Sequence, residues 1–175
     1  MSIHTKTIVK VDLFQYGLKG QDDLNNNIPV APQFMLHKED WWFQHDRQCD
    51  QAPPEDDHFL ELPAGGSFTV EIATNRAFTT FGPDPHFDGY FGGPQNITRS
   101  PEGCVINPNL HTYNQSSAPG TVFAISYTSS LQNVTPENLV VFTVRYFTPW
   151  QRLTTYDVPK DLPPCPPGGC TCAWG

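Results

Sequence analysis

Hydrophobic residues alternate with more polar ones along several segments of the chain. The clearest of these segments is Ser67–Thr74. Its apolar residues Phe68, Val70 and Ile72 occupy every second position, and this period places them on one face of a strand. Further segments rich in β-branched and aromatic residues are also predicted strands: Thr7–Tyr16, Ala77–Phe81, Thr121–Ser129, Asn138–Phe147 and Gln151–Val158.

Turn-rich loops separate these strands, and helix signals are few. Pro, Gly, Asn and Asp are frequent in Gln51–Asp57 and Phe81–Asn96, a composition typical of loops. A turn or two of helix is predicted at His37–Asp46, where two early acidic residues favour a helix start. A second short helix is predicted at Thr135–Asn138, with Thr135 as the N-cap. Short strands joined by long loops predict an antiparallel β-sandwich with little helix.

Length and composition indicate a single domain. A chain of 175 residues can bury a core without metal ions or disulfides. Although it contains 18 Pro and 13 Gly, its 38% hydrophobic and 13% aromatic content argues against disorder. We therefore predict a β-sandwich domain over residues 1–160. The Pro- and Cys-rich residues 161–175 are predicted to form a C-terminal clamp segment packed on the same domain.

The charge of the chain narrows the class of partner. The net charge is −8, and the ten Lys and Arg residues are scattered. Nucleic acid is excluded as the main partner, because phosphate binding needs a clustered basic face. No apolar segment approaches the roughly 20 residues of a membrane span, and scarce basic residues disfavour anionic membranes. A neutral polysaccharide or other glycan is compatible with this charge.

Signals for the location of the protein conflict. Residues Met1–Phe14 lack the apolar centre and cleavage site of a signal peptide. Three glycosylation sequons, at Asn96, Asn114 and Asn133, are nevertheless typical of a secreted protein, although Pro136 disfavours use of the third. Both a secreted and a cytoplasmic location therefore stay open.

The cysteines indicate a disulfide clamp rather than a metal site. Five cysteines allow two disulfides and one thiol, and the candidates are Cys49, Cys104, Cys165, Cys170 and Cys172. The spacing of the last three differs from the paired C-x2-C motifs of zinc ribbons, and the prolines around them favour a stiff extended segment. A bond between Cys170 and Cys172 would close a strained ring. We therefore predict that Cys165 pairs with one of these two.

Other candidate side chains have a simpler structural interpretation. The six histidines include no close ligand pair, so their spacing defines no metal site. Trp41 and Trp42 are adjacent and cannot both enter one core, so one of them could lie partly exposed and stack on a sugar. The acidic run around residues 55–61 is better explained as an exposed loop than as a pair of glycosidase carboxylates.

The C-terminal segment PPCPPGGCTCAW closely resembles part of the fungal lytic polysaccharide monooxygenases of auxiliary activity family fourteen, which act on xylan-coated cellulose. Other similar segments follow the same order along nearly the whole chain. They are QYG at 15–17, IPVAPQFM at 28–35, DWWFQHD at 40–46, FLELPAGGSFTVEIATN at 59–75, LHT at 110–112 and PENLVVFTV at 136–144. The match corresponds to about the first two-thirds of a family catalytic domain.

The resemblance implies an immunoglobulin-like β-sandwich that holds one copper ion in a histidine brace. The brace consists of an N-terminal histidine, a second histidine and an axial tyrosine, a nitrogen-rich set that suits copper. The second histidine corresponds to His111, whereas Thr7 stands at the position of the first. His4 could replace it only with a local insertion and after processing, and the family tyrosine lies beyond the Cys-rich segment. Ala73 and Thr121 stand where two family cysteines are expected.

Three hypotheses for function follow. The first is a glycan-associated relative with a degenerate copper site and without full oxidative activity. Its candidate glycan contacts are Trp41, Trp42, Tyr90, Phe91 and Tyr113. The second is a copper-dependent monooxygenase, secreted like its relatives, that uses His4 and His111. The third is a fungal interaction or defence protein that reuses the fold without export.

Overall fold

The computed structural model describes residues 6–11, 34–51, 59–72, 115–149 and 153–175, the first range by its backbone alone. The strands in these ranges are β1 (Lys6–Val11), β2 (Leu60–Pro63), β3 (Ser67–Glu71), β4 (Thr121–Ser126), β5 (Val140–Arg145), β6 (Leu153–Asp157) and β7 (Cys170–Trp174). The α-helix in these ranges is α1 (Lys38–Trp41). Short 3-10 turns occupy Trp42–Arg47, Cys49–Gln51, Gln115–Ser117 and Leu131–Asn133.

The strands form two sheets. The larger sheet has the order β2-β1-β7-β4-β5, and the smaller one pairs β3 with β6. All pairs are antiparallel except β1 with β7, which run parallel. The prediction of an all-β, immunoglobulin-like antiparallel sandwich is confirmed, and little of the described chain is helical. No helix within the described ranges has the length and apolar character needed to cross a bilayer.

Aromatic side chains from both sheets form the centre of the core. Phe68 on β3 lies opposite Tyr156 on β6, and their rings stack with centroids 5.6 Å apart. Phe123 on β4 packs edge-on against both, at 5.0 Å from Phe68 and 4.8 Å from Tyr156. Edge-to-face and offset pairs contribute about 0.5–1.5 kcal/mol beyond the area that they bury. The predicted alternation holds in the first part of β3, where Phe68 is buried and Thr69 faces solvent, whereas Val70 and Glu71 are both half-buried.

The segment 161–175 enters the larger sheet. Residues 170–174 form β7, which lies between β1 and β4, and Cys170, Thr171 and Cys172 are all buried. The turn before it depends on Gly168 and Gly169, whose φ angles of 95° and 90° are easily adopted only by glycine. The Gly169 amide donates to the Pro166 carbonyl at 2.9 Å. The clamp segment thus supplies a strand that the sequence pattern did not predict.

One predicted element is wrong, and another cannot be compared with the structure. Thr135–Asn138 is a turn and not a helix, because the Asn138 side chain bonds the local backbone instead. Its Oδ1 accepts from the Thr135 amide at 2.9 Å, and its Nδ2 donates to the Asn133 carbonyl at 2.8 Å. The predicted strand at Ala77–Phe81 lies outside the described residues.

Candidate functional site

The adjacent tryptophans lie on a short irregular helical segment. In α1 the Trp41 amide donates to the His37 carbonyl at 3.2 Å, which closes a single helical turn. Regular helix then ends, because Phe43 and Gln44 have φ angles of 49° and 53° in the left-handed region. The prediction of a turn or two at His37–Asp46 therefore agrees with the structure, and the break at Phe43 and Gln44 lies inside the 3-10 segment Trp42–Arg47 that follows α1.

The two tryptophan rings have different environments. Trp42 is half-buried, with its ring 5.8 Å from that of Trp41 and 5.2 Å from that of Phe43, both edge-on. The Lys38 ammonium lies 5.3 Å from the Trp42 centroid, within cation–π range. Trp41 keeps 43% of its surface exposed. Neither ring enters the core, and Trp41 is the one that can contact a ligand.

An ion pair fixes the end of this segment. The ring Nδ1 of His45 donates to Asp50 Oδ2 at 2.8 Å. This hydrogen bond and the negative charge of Asp50 raise the pKa of His45 above its ordinary value of 6.5. The Cys49 thiol, in the same stretch, donates to Gln44 Oε1 at 3.4 Å. These contacts hold the turn that carries the tryptophans.

The predicted copper ligands are not among the described residues. His4 and His111 are outside the described residues, as are the candidate glycan contacts Tyr90, Phe91 and Tyr113. Within the described ranges, no group of three or more His, Cys, Asp or Glu side chains is placed to hold a metal ion. Thr7, which stands at the family's first histidine position, lies on β1 opposite Leu62.

The structure joins Cys165 to Cys170 in a disulfide. Cys172 remains a buried thiol, and its burial raises its pKa to about 12. Cys49 is half-buried and is not joined to another cysteine of the described ranges, and Cys104 lies outside those ranges. Of the sequons, Asn133 is exposed at the end of a 3-10 turn, whereas Asn96 and Asn114 lie outside the described ranges.

A buried chain of hydrogen bonds connects β7 to the rest of the fold, and no sequence pattern indicated it. Thr148 Oγ1 donates to the Arg145 carbonyl at 2.6 Å and therefore accepts from Thr121 Oγ1, also at 2.6 Å. Since a hydroxyl has one proton, Thr121 in turn accepts from the Tyr156 hydroxyl. Tyr156 then accepts from Trp174 Nε1 at 3.2 Å. Each group therefore donates to the next one along the chain. The order is Trp174, Tyr156, Thr121, Thr148 and finally the Arg145 carbonyl.

The fold and the aromatic segment define a β-sandwich of the kind that the C-terminal motif implies. The family model for lytic polysaccharide monooxygenase AA14 matches residues 6–175, and the chain belongs to that family. The prediction of this family from the sequence is confirmed.

Relatives with the same family name come from several fungi. The chain is 36% identical to an AA14 family lytic polysaccharide monooxygenase B from Trametes coccinea, over 85% of this chain and 34% of the relative. An AA14 family lytic polysaccharide monooxygenase B from Pycnoporus cinnabarinus is 34% identical, over 85% of this chain and 38% of the relative. An AA14 family lytic polysaccharide monooxygenase A from Trametes coccinea is 30% identical, over 93% of this chain and 36% of the relative. The chain therefore spans about a third of the length of these relatives.

Proposed function

We propose that this chain is a lytic polysaccharide monooxygenase-like sandwich that associates with polysaccharide through Trp41 and has a degenerate copper site. The observation that carries the proposal is the exposed ring of Trp41, supported from behind by the half-buried Trp42. Membership of a family whose curated relatives are named for polysaccharide oxidation supports the choice of ligand.

The physical basis of binding is stacking of a flat ring on the C–H face of a sugar. Trp41 presents a large apolar surface with little conformational entropy to lose, because α1 and the 3-10 turn hold its backbone. The negative charge of the chain does not oppose an uncharged glycan. The degenerate copper site rests on Thr7, since a threonine supplies neither the imidazole nor the terminal amine of a brace.

The test is retention on insoluble xylan, cellulose and chitin. We expect wild-type protein to be retained on at least one glycan and Trp41→Ala to bind about tenfold more weakly, the change that about 1.4 kcal/mol produces. Phe59→Ala is the matched control, because Phe59 is 44% exposed and Trp41 is 43% exposed. Equal retention of Trp41→Ala and wild type, or no retention on any of the three glycans, would contradict the proposal.

The alternative function is an active copper monooxygenase that acts on xylan-coated cellulose, and family membership favours it. It requires His111 and a processed terminus at His4 to supply the copper ligands. Copper titration followed by electron paramagnetic resonance distinguishes an active copper enzyme from a protein with a degenerate site. A stoichiometric signal that is lost in His111→Ala would support the active enzyme, and a weak signal unaffected by that change would support the degenerate site.

A further inference from the structure

A second pair of exposed aromatic rings follows β5. Tyr146 is 71% exposed and Phe147 is 55% exposed, whereas the next residue, Thr148, is only 7% exposed. Two large rings in solvent thus adjoin a residue fixed in the interior. Large apolar side chains placed side by side on a surface mark interaction sites more often than isolated ones do.

The backbone of this turn is strained at one of the two rings. Phe147 has a φ angle of 59°, in the left-handed region that bulky side chains rarely adopt. Such conformations persist only where surrounding structure enforces them, and they concentrate at sites that contact ligands. A glycine or asparagine would adopt this angle at lower cost, so the fold alone gives no reason for a phenylalanine here.

The surrounding structure that enforces the turn is visible. Thr148 Oγ1 donates to the Arg145 carbonyl across the turn and is itself the acceptor for Thr121 at the end of the buried chain from Trp174. Gly120 packs beneath it, since a β-carbon at this position would lie 3.1 Å from the Arg145 carbonyl oxygen and 3.3 Å from the Tyr146 α-carbon. The two exposed rings are therefore carried by a backbone that the core holds in place.

We infer that Tyr146 and Phe147 form a second polysaccharide-binding surface, distinct from Trp41, for a neutral glycan strand. The inference rests on the proposed function for its class of ligand. Two exposed rings on a held backbone would stack on sugar faces, and the neighbouring Arg145, also exposed, offers guanidinium donors for sugar hydroxyls. The surface carries no carboxylate over residues 140–149, which suits an uncharged strand, and the net charge of −8 opposes a polyanion.

Affinity electrophoresis in gels containing soluble arabinoxylan or hydroxyethyl cellulose tests this inference, with urea unfolding of every variant in parallel. We expect Tyr146→Ala to weaken retention about tenfold. Phe147→Gly should weaken it similarly while the unfolding midpoint stays equal to or above that of the wild type, because glycine relieves the strained φ. A purely structural role for Phe147 would instead lower the midpoint. Phe59→Ala again serves as the exposed control.

The outcomes separate this inference from the proposed function. If wild type is retained and Trp41→Ala is weakened, while Tyr146→Ala and Phe147→Gly match wild type, the second surface is wrong and the proposed function stands. If wild type is not retained in either gel or on any insoluble glycan, both are wrong. If Phe147→Gly does not fold, retention of Tyr146→Leu is measured instead, because this variant changes an exposed side chain and removes its aromatic face. Retention equal to that of the wild type would contradict the second surface.

Discussion

The hydroxyl of Tyr156 accepts from one buried group and donates to another at the point where the two sheets meet. Its ring stacks on Phe68, and its oxygen lies between Trp174 Nε1 and Thr121 Oγ1. A buried hydroxyl with both partners in place contributes modestly, but its removal leaves those partners unsatisfied. A single oxygen atom thus fixes the positions of β4, β6 and β7.

Replacing Tyr156 with phenylalanine tests this arrangement. We expect Tyr156→Phe to lower the free energy of unfolding by about 1–3 kcal/mol, because the Trp174 N–H loses its acceptor and Thr121 loses a donor. Urea unfolding followed by tryptophan fluorescence gives the value. Trp174→Phe is the control, since it removes only the first donor of the chain and should leave the inner hydroxyls paired. Unchanged stability in Tyr156→Phe would show that the hydroxyl chain contributes nothing.

His45 gives a pH dependence with a definite sign. Since the Asp50 contact raises its folded-state pKa, protonated His45 stabilises the turn fully below about pH 6.5, its ordinary pKa. That contribution is lost as the pH rises through the raised pKa. Titration of the His45 ring by NMR should give a pKa above the ordinary 6.5. Asp50→Asn should return the pKa of His45 to the ordinary range, and an unchanged value would contradict the assigned cause.

At the scale of elements, the alternation of apolar residues predicted strands where it was regular. β3, β4, β5 and β6 lie within predicted segments, because each is rich in the β-branched and aromatic residues that favour strands. β7 was missed because Pro and Gly dominate the preceding residues, and that composition indicates loop. β2 was missed because it is four residues long and ends in proline.

The disulfide next to β7 is expected to matter less than the strand itself. Cys165 and Cys170 are five residues apart, so the loop that they close is short. Its chain-entropy contribution should fall below the about 3 kcal/mol estimated for a 15-residue loop. Reduction should therefore lower the unfolding midpoint slightly while the Trp174 fluorescence of the folded state is kept. Complete unfolding in reductant, compared with Cys165→Ala under oxidising conditions, would show that the bond holds the sheet together.

At the scale of the whole molecule, the family could be read from the sequence, but the placement of its surfaces could not. The segment DWWFQHD indicated an aromatic site, but the sequence does not show which ring is exposed; in the structure Trp41 is exposed and Trp42 is half-buried. Tyr146 and Phe147 fall at the end of a predicted strand, where a periodic pattern assigns them to alternate faces. Their joint exposure follows from a turn that is held by the next residue, Thr148, and by Gly120 from another part of the chain.

Strand β5 lies at one edge of the larger sheet among the described strands, and several of its side chains are exposed and apolar. In the described part of the chain β5 pairs only with β4, and its side chains Val140, Val141 and Val144 are exposed. Apolar edge strands without lysine or proline favour pairing between molecules. We expect the sedimentation coefficient to rise with protein concentration, and Val141→Lys to suppress that rise. Thr69→Lys, which adds the same charge on the other sheet, is the control, and equal suppression by both would show that the effect is not specific to β5.

The position of β7 between β1 and β4 has a consequence for synthesis on the ribosome. The larger sheet joins residues near position 6 to residues near position 174, so it cannot close until the latter have left the exit tunnel. Until then β1 and β2 can pair with each other, as can β4 and β5, but each pair exposes the edge that β7 will cover. Translation at about 5–20 residues per second leaves those edges open for several seconds. During that interval the two unpaired strand edges are available for pairing with other chains.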